Sequence, residues 1–208
     1  MQHIHVSREL RSLHAVLTEW VRLNGLLARQ WSKSAKDLPW WYNERALLSV
    51  FVGAIWISGG KAFEEFSEKK RKGRRRRSSQ GRVDLWFQTR GGEFLVEAKH
   101  AEIPITKRSG QQQSLETLLS RAVEDTRDNP ADGTTKRIAL TFAVPYFTAK
   151  ASPARRRSQI DWFLKLIEDV DTDAVAWVFP KLQKLPESKG YVCPGIAVMI
   201  KRVRRSPR

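Results

Sequence analysis

The sequence predicts an α/β fold: a mixed central β-sheet flanked by helices, with a helix-strand-strand-strand-helix-strand core, an added N-terminal helix and added C-terminal strands. Three observations carry this. Residues 81–100, GRVDLWFQTRGGEFLVEAKH, alternate apolar and polar side chains on either side of Gly91-Gly92, the pattern of two strands joined by a glycine turn. Residues 137–144, RIALTFAV, have the near-continuous apolar character of a strand covered on both faces. Residues 43–57 and 112–128 have the length and apolar spacing of helices, and they bracket the hairpin.

Composition sets the bounds. At 208 residues the chain fits one domain with an extension, and a hydrophobic content of 41% with 8 Trp and 9 Phe excludes a globally disordered protein. The expected division is a helical extension over residues 1–38, a main domain over 39–203 and a basic tail over 204–208. The net charge of +16 resides in three runs, eight basic residues in 69–77, three in 155–157 and five in 201–208. Local runs of this kind suit a polyanion, most simply nucleic acid.

A membrane partner is disfavoured. No basic run adjoins an amphipathic membrane-binding helix, and the longest apolar run, residues 46–58, is shorter than a bilayer span. The first ten residues lack the apolar centre of a signal peptide. Cys193 is the only cysteine, which removes an intrachain disulfide and a cysteine zinc cluster and points to a reducing, cytoplasmic setting.

In chain order, residues 1–7 are expected to fray, with His3, His5 and His14 as surface side chains. Ser7 is then expected to cap a helix reaching about Trp31, with Leu10, Leu13, Leu17, Trp20 and Val21 on one face. That helix serves equally as a dimer surface or as packing for its own domain. The helix over 43–57 is apolar on nearly all sides and therefore central; Glu44 in its first turn suits the helix dipole or, equally, a site. Residues 61–70 are taken as a strand and 71–80 as a loop. After the hairpin, 101–110 is expected to be a loop, Ser158 with Asp161 to cap a helix, and 174–179 and 191–203 to be strands, the second broken at Pro194.

The hairpin concentrates the chemistry. An even loop between its strands places Asp84, Glu97 and Lys99 on one face, whereas an odd loop separates them. Carboxylates leaving water need partners or a cation, and a hard ion such as Mg²⁺ takes one or two carboxylates plus substrate phosphate. Asp84 and Glu97 meet that need, with the main-chain carbonyl of Ala98 as a further oxygen. Lys99 can position or deprotonate a water, or neutralise charge on a phosphate.

Asp84, followed thirteen residues later by Glu97-Ala98-Lys99 within GRVDLWF and EFLVEAKH, resembles the active-site hairpin of the PD-(D/E)XK nuclease superfamily, the fold of many restriction enzymes and Holliday junction resolvases. The resemblance covers about residues 43–144, where the element order also matches. It implies metal-binding roles for Asp84 and Glu97, a catalytic role for Lys99, and a role at the metal for Glu44, which matches the family's upstream helical Glu. Val83 stands where the family's name has Pro. The Gln-x-x-x-Tyr motif of one exonuclease branch is absent, since no Tyr follows Gln111, Gln112 or Gln113 by four residues, which favours an endonuclease.

The expected activity is therefore Mg²⁺-dependent hydrolysis of DNA phosphodiester bonds, with Mn²⁺ as the alternative ion. Lys69, Lys70, Arg71, Lys72, Arg74, Arg75, Arg76, Arg77 and Gln112 are assigned to nucleic-acid contact, the basic run entering directly before the Asp84 strand. The run also reads as a merely solvated segment. A noncatalytic nucleic-acid-binding protein with a nuclease-like fold and an RNA-directed nuclease are the alternatives. A homodimer is considered because double-strand cutting by one such site needs two copies.

Overall fold

A mixed eight-stranded sheet runs through the chain with helices on both of its faces. The computed structural model describes residues 1–72, 77–105, 110–129, 134–182 and 185–204, and of residues 68–72 and 77–80 the backbone alone. The strands are β1 (Gln2–Val6), β2 (Lys61–Lys72), β3 (Arg77–Thr89), β4 (Gly92–Pro104), β5 (Lys136–Thr148), β6 (Ala174–Val178), β7 (Tyr191–Val192) and β8 (Ile196–Val203). Their order across the sheet is β1-β6-β8-β5-β4-β3-β2, with β7 pairing to β5. Only the β4–β5 pair is parallel among the described strands.

The helices are α1 (His14–Ser34), α2 (Glu44–Ile57), α3 (Gln111–Arg127) and α4 (Pro153–Asp169). On one face α1 and α2 bury Trp20, Leu47, Phe51 and Ile55 against Phe87, Phe94, Val96, Leu140 and Val198. Phe87 stacks on Phe94 at 4.7 Å between centroids and meets the edge of Phe51 at 6.1 Å. On the other face α3 and α4 bury Leu115, Leu119, Phe163 and Ile167 against Ala143, Trp177 and Met199. A parallel β4–β5 pair needs a crossover connection, and α3 supplies it.

Several local expectations change. Residues 2–6 are an edge strand: β1 pairs antiparallel with β6, and His3 stacks on Trp177 at 4.4 Å. The partner is about 170 residues away, so local pattern could not reveal the pairing. Ser7 precedes a 3-10 turn over Arg8–Leu13 and makes no side-chain cap; the α-helix begins at His14. The first 38 residues thus contribute a strand and Leu10, Leu17, Trp20 and Leu38 to the same core as the rest.

Residues 71–80 are not a loop up to the turn, because β2 and β3 stay paired out to Lys72↔Arg77; residues 73–76 lie outside the described set. Residues 101–104 continue β4 alongside β5 as far as Pro104↔Tyr146, where a loop was expected. The last helix starts at Pro153 with Ser152 as its cap, accepting from the Arg155 amide at 3.4 Å, so Ser158 lies inside it. Pro at the first helical position explains the earlier start. The tail residues 205–208 lie outside the described residues.

Candidate active site

The β3–β4 ladder closes through Arg90-Gly91 from Thr89↔Gly92 to Leu85↔Val96, a two-residue loop and therefore an even one. Gly92 has φ 122, and Gly91 lies against the Ser12 side chain, where a Cβ has no room. Continuing the register by one residue sets Asp84 across from Glu97, with their side chains on one face. The paired ladder ends before that step, while β4 keeps β5 as its partner to Pro104.

Two carboxylates meet the edge that β3 leaves. Alternate residues of a strand direct their backbone groups to the same side, so Ala98 and His100 present successive amides there. Asp84 Oδ2 accepts the Ala98 amide at 2.8 Å. Glu44 approaches the same edge, where the His100 backbone amide acts to lower its pKa. The Ala98 carbonyl lies on the same edge as its amide.

Glu44 reaches this edge because Asn43 starts α2 one residue earlier, its side chain accepting the Ala46 amide at 3.1 Å. Burial raises the Glu44 pKa, and the charges of Asp84 and Asp125 raise it further; Lys99 and the His100 amide only partly oppose this. Glu44 and Asp84 line one cleft of about 350 Å³ with Glu64, Glu65, Arg45 and Arg82. Glu65 bridges Arg45 and Arg82, the latter at 3.3 Å, and holds φ 51 at the step opposite Asp84 where the β2–β3 ladder is interrupted. A positive φ in a non-glycine residue beside the carboxylates marks local backbone strain.

Glu97 is 4% exposed and engaged with neighbouring groups. Lys99 emerges on the α3 side of the sheet, where its Nζ lies 2.8 Å from Asp125 Oδ2. Burial pulls the Lys99 pKa down, but the hydrogen bond and charge of Asp125, with the charges of Glu44 and Asp84, outweigh it and hold the pKa above its ordinary value. Lys99 is therefore an ammonium at neutral pH. The folded chain thus gathers Asp84, Glu44 and Lys99 within electrostatic reach, with Glu97 across the ladder from Asp84.

Asp125 is the member that sequence reasoning missed. It is one of several carboxylates on α3, and only its position one turn beyond the buried Ala122 hints that it faces the sheet.

The donor set suits a hard divalent cation. Asp84, Glu97, Glu44 and the Ala98 carbonyl offer oxygen alone, and Asp84 commits one of its two oxygens to the Ala98 amide. Among the described residues no group of three or more His, Cys, Asp and Glu is drawn to metal-binding range. Mg²⁺ is commonly held by fewer carboxylates than that, with water and substrate phosphate completing its shell.

The residues assigned to nucleic-acid contact are dispersed. Lys69, Lys70, Arg71 and Lys72 belong to β2 and Arg77 to β3, while Arg74, Arg75 and Arg76 lie outside the described residues. Gln112 bonds Glu116 at 3.1 Å beside a groove shared with Trp162 of α4. It stands thirteen residues before Asp125 on α3, roughly 20 Å along the helix, so the fold separates it from Lys99.

The class defined so far is an α/β protein with a mixed sheet flanked by helices, carrying a carboxylate–lysine cluster where two central strands part. No family model, curated protein or solved structure matches the chain. No helix among the described residues is long and apolar enough to cross a membrane.

Proposed function

We propose that the protein is a Mg²⁺-dependent nuclease that hydrolyses DNA phosphodiester bonds as an endonuclease, on a restriction-endonuclease-like core of the PD-(D/E)XK type formed by α2, β2, β3, β4, α3 and β5. The observation that carries this reading is the Asp84 carboxylate seated on the Ala98 edge amide, with Glu44 and the Lys99 ammonium within electrostatic reach of it. A half-buried carboxylate whose pKa is raised by burial and by neighbouring carboxylates, as Glu44's is, is costly in a purely structural role and useful at a cation site.

In this reading Asp84, Glu97 and the Ala98 carbonyl hold the metal, with Glu44 beside them. Bound there, Mg²⁺ would polarise the phosphoryl group and activate a water. Lys99 acts as an ammonium that neutralises charge developing on the phosphate, its pKa held above the ordinary lysine value by Asp125 and the nearby carboxylates. Asp125 positions Lys99 and fixes its charge. The basic residues of the β2–β3 ribbon grip phosphates without reading sequence.

Incubating the purified protein with matched DNA and RNA strands, with Mg²⁺, Mn²⁺ or chelator, tests the assignment. Metal-dependent cutting of DNA in preference to RNA is expected. Binding without turnover under every condition overturns the nuclease reading, and preferential RNA cutting overturns the choice of DNA.

A further inference from the structure

A second, larger cleft is lined by residues that flank the carboxylates along the chain. Its volume is about 690 Å³, and it lies on the α1–α2 side at the C-terminal ends of β4 and β5. Trp41, Tyr42, Tyr146 and Tyr191 line it, with Lys36 and Lys189. Tyr42 and Tyr191 are 47% and 46% exposed, and Tyr146 meets Tyr191 edge to face at 5.3 Å. The gathering of several aromatic rings in one cleft, and not the exposure of any one of them, is what offers a surface to a partner.

The cleft and the carboxylate site share two elements. Tyr42 is two residues before Glu44, and Asn43 between them caps α2. On β4, Glu102 lines the cleft and is four residues beyond Ala98, about 13 Å along the strand. A polymer held at Ala98 and following β4 therefore arrives at the aromatic rings within a short span.

The charge pattern says which part of such a polymer enters. The carboxylates of Asp37 and Glu102 line the cleft, Asp37 accepting the Tyr42 hydroxyl, and they repel phosphate while accepting amino groups. Lys36 and Lys189, both exposed and both at turns with positive φ, supply cations for a backbone running past. Aromatic faces with nearby cations are the elements that hold single strands by base stacking.

We propose that this cleft receives an unpaired nucleobase, so that the substrate class of the neighbouring site is single-stranded or locally unwound nucleic acid. The proposal rests on the nuclease reading for its account of the adjacent site. Stacked bases in a duplex cannot enter a cleft lined by Tyr42, Tyr146 and Tyr191, whereas an extruded or free base can.

The test is a fluorescence-anisotropy titration without divalent metal, using a labelled single-stranded oligonucleotide and its blunt duplex. Tyr191→Ala is expected to weaken single-strand binding about 5- to 150-fold and duplex binding by less than about two-fold. Tyr191→Trp, which keeps a stacking face, is expected to restore the single-strand affinity, and the retained duplex affinity of Tyr191→Ala shows that its loss is not unfolding. Unchanged single-strand affinity in Tyr191→Ala, or an equal loss on duplex, overturns the proposal. Adding Mg²⁺ to the same complexes tests the nuclease reading separately: no cutting removes that reading, while the effect of Tyr191 still decides the cleft.

Discussion

Lys99 Nζ lies 2.8 Å from Asp125 Oδ2, joining the strand that carries Glu97 to the helix that crosses from β4 to β5. Desolvation lowers the Lys99 pKa, and its carboxylate neighbours more than offset that. Asp125 is half exposed, and the value of the pair to stability is correspondingly small. Its consequence is the raised pKa of Lys99.

Asp125→Asn removes the largest influence that raises the Lys99 pKa and leaves burial to lower it. The protonated fraction at alkaline pH falls. The expected outcome is a pH–rate profile whose alkaline limb moves to lower pH, with activity near neutrality reduced less than in Lys99→Ala. A profile superimposable on the wild type contradicts the positioning role of Asp125.

Asp84 takes the place of a strand partner for the Ala98 amide, which is fully buried with its residue. Asp84→Ala leaves that donor unpaired, at a cost of about 1–3 kcal/mol, whereas Asp84→Asn keeps an acceptor oxygen and costs less. Urea denaturation of the three proteins measures the order. Equal stability of the alanine and asparagine variants contradicts the substitution of side chain for ladder.

Glu44 is held with a pKa above its ordinary value of 4.5 by burial and by Asp84 and Asp125. The folded state therefore binds more protons at this group than the unfolded state, and the stability it contributes falls as pH rises from about 4.5 through the raised value. Glu44→Gln removes that dependence while keeping the size of the side chain and an amide oxygen. Relative to the wild type the variant gains stability between mildly acidic and neutral pH. A difference that does not change across this window contradicts the stated environment of Glu44.

The two strands of the central hairpin and the glycine turn between them were legible from alternation, but the parity of the loop was not, and only the two-residue turn of the folded chain sets Asp84 across from Glu97. The helix bearing Glu44 was legible from its apolar length, while the Asn43 cap that starts it emerged only in the folded chain. What was hidden depends on distant partners. β1 needs β6, Asp125 is singled out from other α3 carboxylates only by packing, and the parting of β3 from β4 has no local signature. The aromatic cleft likewise assembles from residues near 40, 102, 146 and 190, four segments far apart in the chain.

The central claim is tested most directly by incubating supercoiled DNA with the wild type, Lys99→Ala and Asp84→Asn in Mg²⁺, and measuring DNA binding of each in parallel. Nicking or cutting by the wild type is predicted, with a loss of about 100-fold or more in both variants and DNA affinity retained. Equal cutting by all three, or no cutting by the wild type in Mg²⁺ or Mn²⁺, would contradict it.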